Sequence, residues 1–101
     1  MWTVVVLEDA VEDIRRARDF YENIAPGVGR YCAESLLKDL ERLADYHGIH
    51  AMHFGFHRML ASRFPFAIYY RDSRDRTEVL AVLDLRRDPN WLRRELGFRD
   101  R

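Results

Sequence analysis

"DIRRARDFYENIAPGVGRYCAESLLKDLERL", residues 13–43, is the stretch whose reading decides the fold. Counting from Ala10 just ahead of it, Ala10, Ile14, Ala17, Tyr21 and Ile24 recur at intervals of four, three, four and three. That spacing lays one apolar face along a helix. Beyond the middle of the stretch, Val28, Cys32, Leu36, Leu40, Leu43 and His47 make a second stripe, with Leu37 and Ala44 widening it. "APGVG" (25–29) separates the two with a proline and two glycines, which stop the first helix. Helices joined by so short a turn must fold back on each other as an antiparallel αα-hairpin. Asp9 is placed to cap the first helix, and Gly48 to end the second.

Outward from the hairpin the periodicity changes. "WTVVVLE" (2–8) is β-branched and apolar on both faces, which predicts a buried first strand. Downstream, "FHRMLASRF" (56–64), "FPFAIYYR" (64–71) and "TEVLAVLDL" (77–85) predict three more strands, with "RDSRDR" (71–76) as the polar turn between the last two. Pro65 falls between strands, where a missing ladder amide costs least. "AIYY" and "VLAVL" show no polar alternation, so both faces of those strands need a cover. The hairpin supplies one cover. The other is the last helix, "DPNWLRRELG" (88–97), with Asp88 as N-cap, Pro89 in the first turn and Gly97 as the stop. Trp91, Leu92 and Leu96 form its apolar face. The expected architecture is a single α+β domain over residues 1–101, in the order β-α-α-β-β-β-α, around a mainly antiparallel sheet.

Composition narrows the function. The 101 residues are 48% hydrophobic and 34% charged, the balance of a globular protein. Cys32 is the single cysteine, so no internal disulfide forms, and its place on an apolar stripe reads as core. No segment is apolar over the length of a membrane span, and Met1 to Asp9 lacks the pattern of a signal peptide, so a cytoplasmic protein with no membrane partner is expected. Net charge is zero, which argues against indiscriminate nucleic-acid binding. Its distribution is uneven: residues 1–56 carry six basic and ten acidic side chains, and residues 57–101 carry eleven and seven. All but one of the basic residues are arginines, which favour bidentate contact with carboxylates and phosphates.

"HGIHAMHFGFHR" (47–58) holds all four histidines. His50, His53 and His57 have the spacing of zinc ligands on a helix, but Gly48 and Gly55 disfavour a helix there. No CxxC or HExxH motif accompanies them, and the stretch reads as helix end and linker, with no metal and no cofactor.

With these elements in order, the chain resembles the RelE/ParE toxins of bacterial type II toxin–antitoxin systems. The resemblance rests on residues 13–43, with their Phe-Tyr-Glu and Pro-Gly-x-Gly signatures, on "FPFAIYYR", and on "VLAVLDLRRDPNWLRREL" (79–96). It implies a small toxin held inactive by a cognate antitoxin, which in this family typically lays an extended or helical segment over the toxin's helices and sheet. RelE-like members cut mRNA in the ribosomal A site, which requires a base, a cation for the developing phosphorane charge and an acid. ParE-like members bind and inhibit DNA gyrase without a catalytic set.

Compared with the nuclease pattern, Ala67 stands where many members carry a strand arginine, and Asp84 where many carry a histidine. A nuclease built on this chain would draw on His57, Arg58, Arg86 and Arg87, with His57 as the base. Target or partner contact is expected from Arg63, Tyr69, Arg71, Arg86, Arg87 and Trp91, the even spacing of Arg63, Tyr69 and Arg71 placing them on one strand face. Each has a structural alternative: Arg86 and Arg87 as partners of Asp84 or Asp88, Trp91 as a core plug, Tyr69 and Tyr70 as sheet packing. The pattern favours a ParE-like, non-nuclease toxin. An inert partner-binding module on the same fold is the remaining alternative.

Overall fold

The computed structural model describes residues 2–100. In chain order the elements are β1 (Thr3–Val6), α1 (Glu8–Ile24), α2 (Val28–Tyr46), β2 (Met52–His53), β3 (Phe56–Leu60), β4 (Phe66–Asp72), β5 (Arg76–Asp84) and α3 (Pro89–Arg99). The five strands form one sheet in the order β1-β5-β4-β3-β2. β1 runs parallel to β5, with Thr3 opposite Arg76 and Val6 opposite Val79, and every other pairing is antiparallel. The expected α+β order is present, with β2 added.

The hairpin turn shows why its signature has the residues it has. Gly27 takes φ of +86°, a left-handed conformation that favours glycine. Gly29 sits where the two helices touch: a Cβ there would lie 2.3 Å from the Arg18 carbonyl oxygen. Glu22 reaches across the turn, and its carboxylate accepts the amides of Gly27 at 3.0 Å and Gly29 at 3.0 Å. A carboxylate thereby sits at the positive end of α2, whose first amides have no helical partner.

Both helices bury a somewhat different face from the one expected. Ala10 and Ala17 of α1 are buried, and Ile14 and Tyr21 pack against the core, but Ile24 is 63% exposed. Asp9 does not cap α1. Leu7 holds that position without a side-chain bond, and Asp9 lies with Glu8 in the first turn, where the helix dipole favours it. In α2 the buried row is widened by Ser35 and Asp39, whereas Leu37 is 49% exposed and Ala44 lies outside. Asp39 is tolerated there because its carboxylate accepts the Ser62 amide at 3.0 Å and Arg42 Nη2 at 2.9 Å.

The sheet divides two cores. Met59, Phe66, Ile68, Tyr70, Val79 and Val82 face the hairpin, and Ala67, Tyr69, Leu80 and Leu83 face Leu92 and Leu96 of α3. A bulge switches β5 between them: Tyr70 pairs with Val79 and Tyr69 with Ala81, leaving Leu80 as the extra residue. β4 and β5 are thus covered on both faces, as expected. β1 is not. It is an edge strand whose Val4 and Val6 pack toward the hairpin, while Thr3 is exposed and Val5 half-buried.

α3 begins as expected, Asp88 accepting the Asn90 amide at 2.7 Å with Pro89 in the first turn. It does not stop at Gly97. The helix continues to Arg99, whose side chain is bound by Glu95, Asp13 and the Leu80 carbonyl, and those bonds hold the last turn.

Candidate target and partner surface

β1 ends beside Val79, so among the described residues the second half of β5 has no strand neighbour on that side. Side chains occupy its edge instead. Asp13 of α1 accepts the Val82 amide at 2.9 Å, and Arg99 of α3 donates to the Leu80 carbonyl at 3.2 Å. Asp13 and Arg99 also bind each other in a fork. Burial pushes the Asp13 carboxyl up, against the pull of Arg99 and the Val82 amide, and the pairing keeps Arg99 charged. Above this pair lies a groove of about 410 Å³ between α1, the end of β5 and α3, with Phe20, Phe66, Val82 and Trp91 on its apolar walls.

Arg86 and Arg87 stand at the mouth of that groove and take different roles. Arg86 is bound to Asp84 through Nε at 3.0 Å and Nη2 at 2.7 Å, and its amide donates to the same carboxylate. Those bonds hold the Asp84 carboxyl below its usual range. This is the turn-shaping role weighed from sequence. Arg87 instead lies 3.7 Å above the Trp91 ring centroid, and no ion pair of Arg87 is present among the described residues. Trp91 is half-buried and packs on the α3 core, so it is both plug and platform. Arg16 and Phe20, on the α1 side, complete a lip that is basic and aromatic.

The remaining candidates do not gather there. Arg63 precedes β4 rather than sharing its face, and lies 6.0 Å from the Tyr31 ring beside a second hollow along α2. Tyr69 is fully enclosed beneath α3, its hydroxyl beside Arg58 and outside normal hydrogen-bond geometry with any of the described residues, so it presents no surface for a partner to touch. Arg71 is held by Glu78 at 2.9 Å and Asp100 at 2.7 Å.

The histidine stretch is not a linker. β2 and β3 form a tight hairpin about Phe54 and Gly55, both at positive φ (57° and 89°), as the favoured two-residue hairpin turn requires. Three histidines converge on β4. His47 Nδ1 meets Asp72 Oδ2 at 2.9 Å and its ring stacks on Trp2 at 4.1 Å. His50 Nδ1 is bonded to the Tyr70 hydroxyl, which also accepts the Gly48 amide at 2.9 Å. His57 Nδ1 donates to the His50 carbonyl at 2.7 Å, and its ring stacks on Tyr70. Among the described residues no three His, Cys, Asp or Glu side chains are placed to hold a metal ion. Cys32 is wholly buried, its thiol pushed up to about 11 by burial.

Two of these working residues, Asp13 and Asp39, were not singled out from sequence, whereas Glu22 belongs to the Phe-Tyr-Glu signature. Asp13 and Asp39 carry a shared signal: a carboxylate set on, or one turn from, an apolar helical stripe, where a charge persists only with partners.

With the geometry in place, comparison identifies the class of fold. The chain has the RelE/ParE toxin-like α+β fold. It is similar to a chain of the chromosomal ParDE TA system from P. aeruginosa, with a TM-score of 0.73 over 81% of this chain and 94% of that one. The two are 17% identical, so the likeness shows a shared fold. No family model and no curated protein matches the sequence. No helix among the described residues is long and apolar enough to cross a membrane.

Proposed function

We propose that the chain is the toxin of a type II toxin–antitoxin pair, neutralised in the cytoplasm by a cognate antitoxin protein, and that it arrests growth by binding a cellular target such as DNA gyrase. The fold shared with a chain of a ParDE system supports the first part. One observation carries the second: the residues a nuclease would need are split. His57 lies opposite Tyr70, whereas Arg86 and Arg87 follow Asp84, which lies opposite Phe66. Four residues of strand span roughly 13 Å. His57 also stacks on Tyr70, which faces the helical hairpin, while Arg58, opposite Tyr69, faces α3. A single phosphate cannot touch all of them. By contrast, a binding toxin needs only a surface, and the groove lip of Arg16, Phe20, Arg87 and Trp91 provides one.

The endoribonuclease reading retains one observation, the Arg58 guanidinium beside the Tyr69 hydroxyl under α3. Induced expression with and without the neighbouring reading frame tests the pair: arrest relieved by co-expression supports a toxin, and unimpaired growth leaves a partner-binding module. Mapping mRNA ends and assaying gyrase supercoiling from the same induction separates the activities. Codon-linked cleavage with normal supercoiling would overturn the gyrase reading.

A further inference from the structure

The histidine stretch has a role that the toxin reading does not absorb. Residues 49–53 are attached to the body almost entirely through polar bonds. Ile49 is 72% and Met52 56% exposed, so the segment buries little apolar surface of its own. What holds it is the two-residue ladder of β2 on β3, the Arg58 amide on the Ala51 carbonyl at 3.0 Å, the His57 ring on the His50 carbonyl, and the His50 ring on Tyr70. It is bracketed by Gly48 at φ 85° and by Phe54 at φ 57°, whose ring packs in the core beneath α3 and anchors the far end.

Proton counting at Tyr70 fixes the state of His50. The phenol oxygen already accepts the Gly48 amide, and the Tyr70 side chain is fully buried, so its own hydrogen needs an acceptor. The partner in reach is His50 Nδ1, which accepts only when the imidazole is neutral with its proton on Nε2. Protonating His50 sets two donors against each other and leaves the phenol hydrogen unbonded. It also places a cation among others. From α2 Arg42 faces this region, from just past its end His47, from β3 His57, and from β4 Tyr70 and Asp72. Asp72 is engaged by His47 and by the Thr77 hydroxyl at 2.7 Å, and His57 and Arg42 oppose charge on His50.

We infer that residues 49–53 form a proton-released flap, latched by the Tyr70–His50 hydrogen bond and hinged at Gly48 and at the core-anchored Phe54, which opens under mild acid while the rest of the fold stays closed.

Linkage sets the sign and the ceiling. Burial lowers the folded affinity of His50 for a proton below its ordinary 6.5, so the closed flap is favoured above that pH and is lost as pH falls below it. At pH 5.0 the opening constant rises at most about thirtyfold over its value at neutral pH. Amide hydrogen exchange on the full chain at pH 7.5 and 5.0, corrected for intrinsic rates, is the test. Protection of residues 49–53 should fall about fivefold to thirtyfold, with peptides from α1 and β5 unchanged. His50→Gln should abolish that pH dependence, His57→Gln should retain it, and Tyr70→Phe should leave the segment open at both pH values. Equal wild-type protection at the two pH values would overturn the inference. So would a pH response that survives His50→Gln or disappears with His57→Gln.

Discussion

Asp13 and Arg99, 86 positions apart, close the open edge of β5 from two sides and bind each other, with side-chain exposures of 4% and 8%. The first helix thereby meets the last across a strand that belongs to neither. Removing one partner strands the other charge and uncaps a backbone group at once. Arg99→Ala or Asp13→Ala should each cost about 3–5 kcal/mol, the range for breaking a buried pair. The double variant Asp13→Ala, Arg99→Ala should cost less than the two single losses added, by about 2 kcal/mol. Urea unfolding of the four proteins checks this, and strict additivity would refute the pairing.

The hairpin turn makes a second expectation. Gly29→Ala must push a methyl into the Arg18 carbonyl, and backbone cannot step aside as a flexible side chain can. A loss of about 1–3 kcal/mol follows. Glu22→Ala removes the acceptor of two amides at the start of α2 and should cost about 1–3 kcal/mol, with Glu22→Gln between it and wild type. In a chain of this size each kcal/mol lowers the melting temperature by roughly 4–8 °C, so thermal unfolding resolves the order. An unchanged melting temperature for Gly29→Ala would show that the helices cross elsewhere.

These two sites show how much was legible in the sequence. The 13–43 stretch predicted the helical hairpin because its apolar period and its breaker are local signals. "AIYY" and "VLAVL" predicted double cover because burial on both faces removes polar alternation. What escaped was set by distant partners. Asp13 lies one turn from Ala10 and reads as a break in the stripe until Val82 and Arg99 are seen beside it. Gly97 reads as a stop, yet Arg99 is anchored hard enough to carry the helix past it. β2 was lost because two residues are too few to show a period, although Phe54-Gly55 supplies the turn. The contact residues divided for the same reason: even spacing aligned Arg63, Tyr69 and Arg71 only on the assumption that the strand began before Pro65, and it begins at Phe66.

Acid should weaken the fold through Glu78. Its carboxylate accepts Arg71 Nε at 2.9 Å and Arg76 Nη2 at 2.6 Å, and its side chain is only 12% exposed. The Arg71 hydrogen bond, foremost, holds its carboxyl below the ordinary value of 4.5. A depressed carboxylate contributes stability above its unfolded value and loses it as pH falls through the folded one. Glu78→Gln should therefore be less stable than wild type by about 1–2 kcal/mol at pH 7, with the gap closing below about pH 4. Chemical denaturation at pH 7 and pH 3 measures both ends. A gap that persists at pH 3 would mean that the charge is not what Glu78 contributes.

Function should separate along the line between the groove lip and the histidine hub. Arg87 stacks on Trp91 without an ion pair among the described residues, so its guanidinium edge is available to a carboxylate or phosphate of a partner. Arg86 has already spent its bonds on Asp84. Arg87→Ala should accordingly relieve growth arrest more than tenfold in plating efficiency, about the effect of losing one well-placed contact of 1.4 kcal/mol or more. Its melting temperature should stay near wild type, since the lost contact is at the surface. Arg86→Ala should reduce arrest less and stability more. His57→Ala should keep full arrest, because its ring serves the His50 carbonyl and Tyr70 rather than a phosphate. Plating after induction, read beside thermal unfolding of each purified variant, gives the comparison. If His57→Ala grew freely while folding as well as wild type, and Arg87→Ala still arrested growth, the binding surface would be in the wrong place and a nuclease centred on β3 would take precedence.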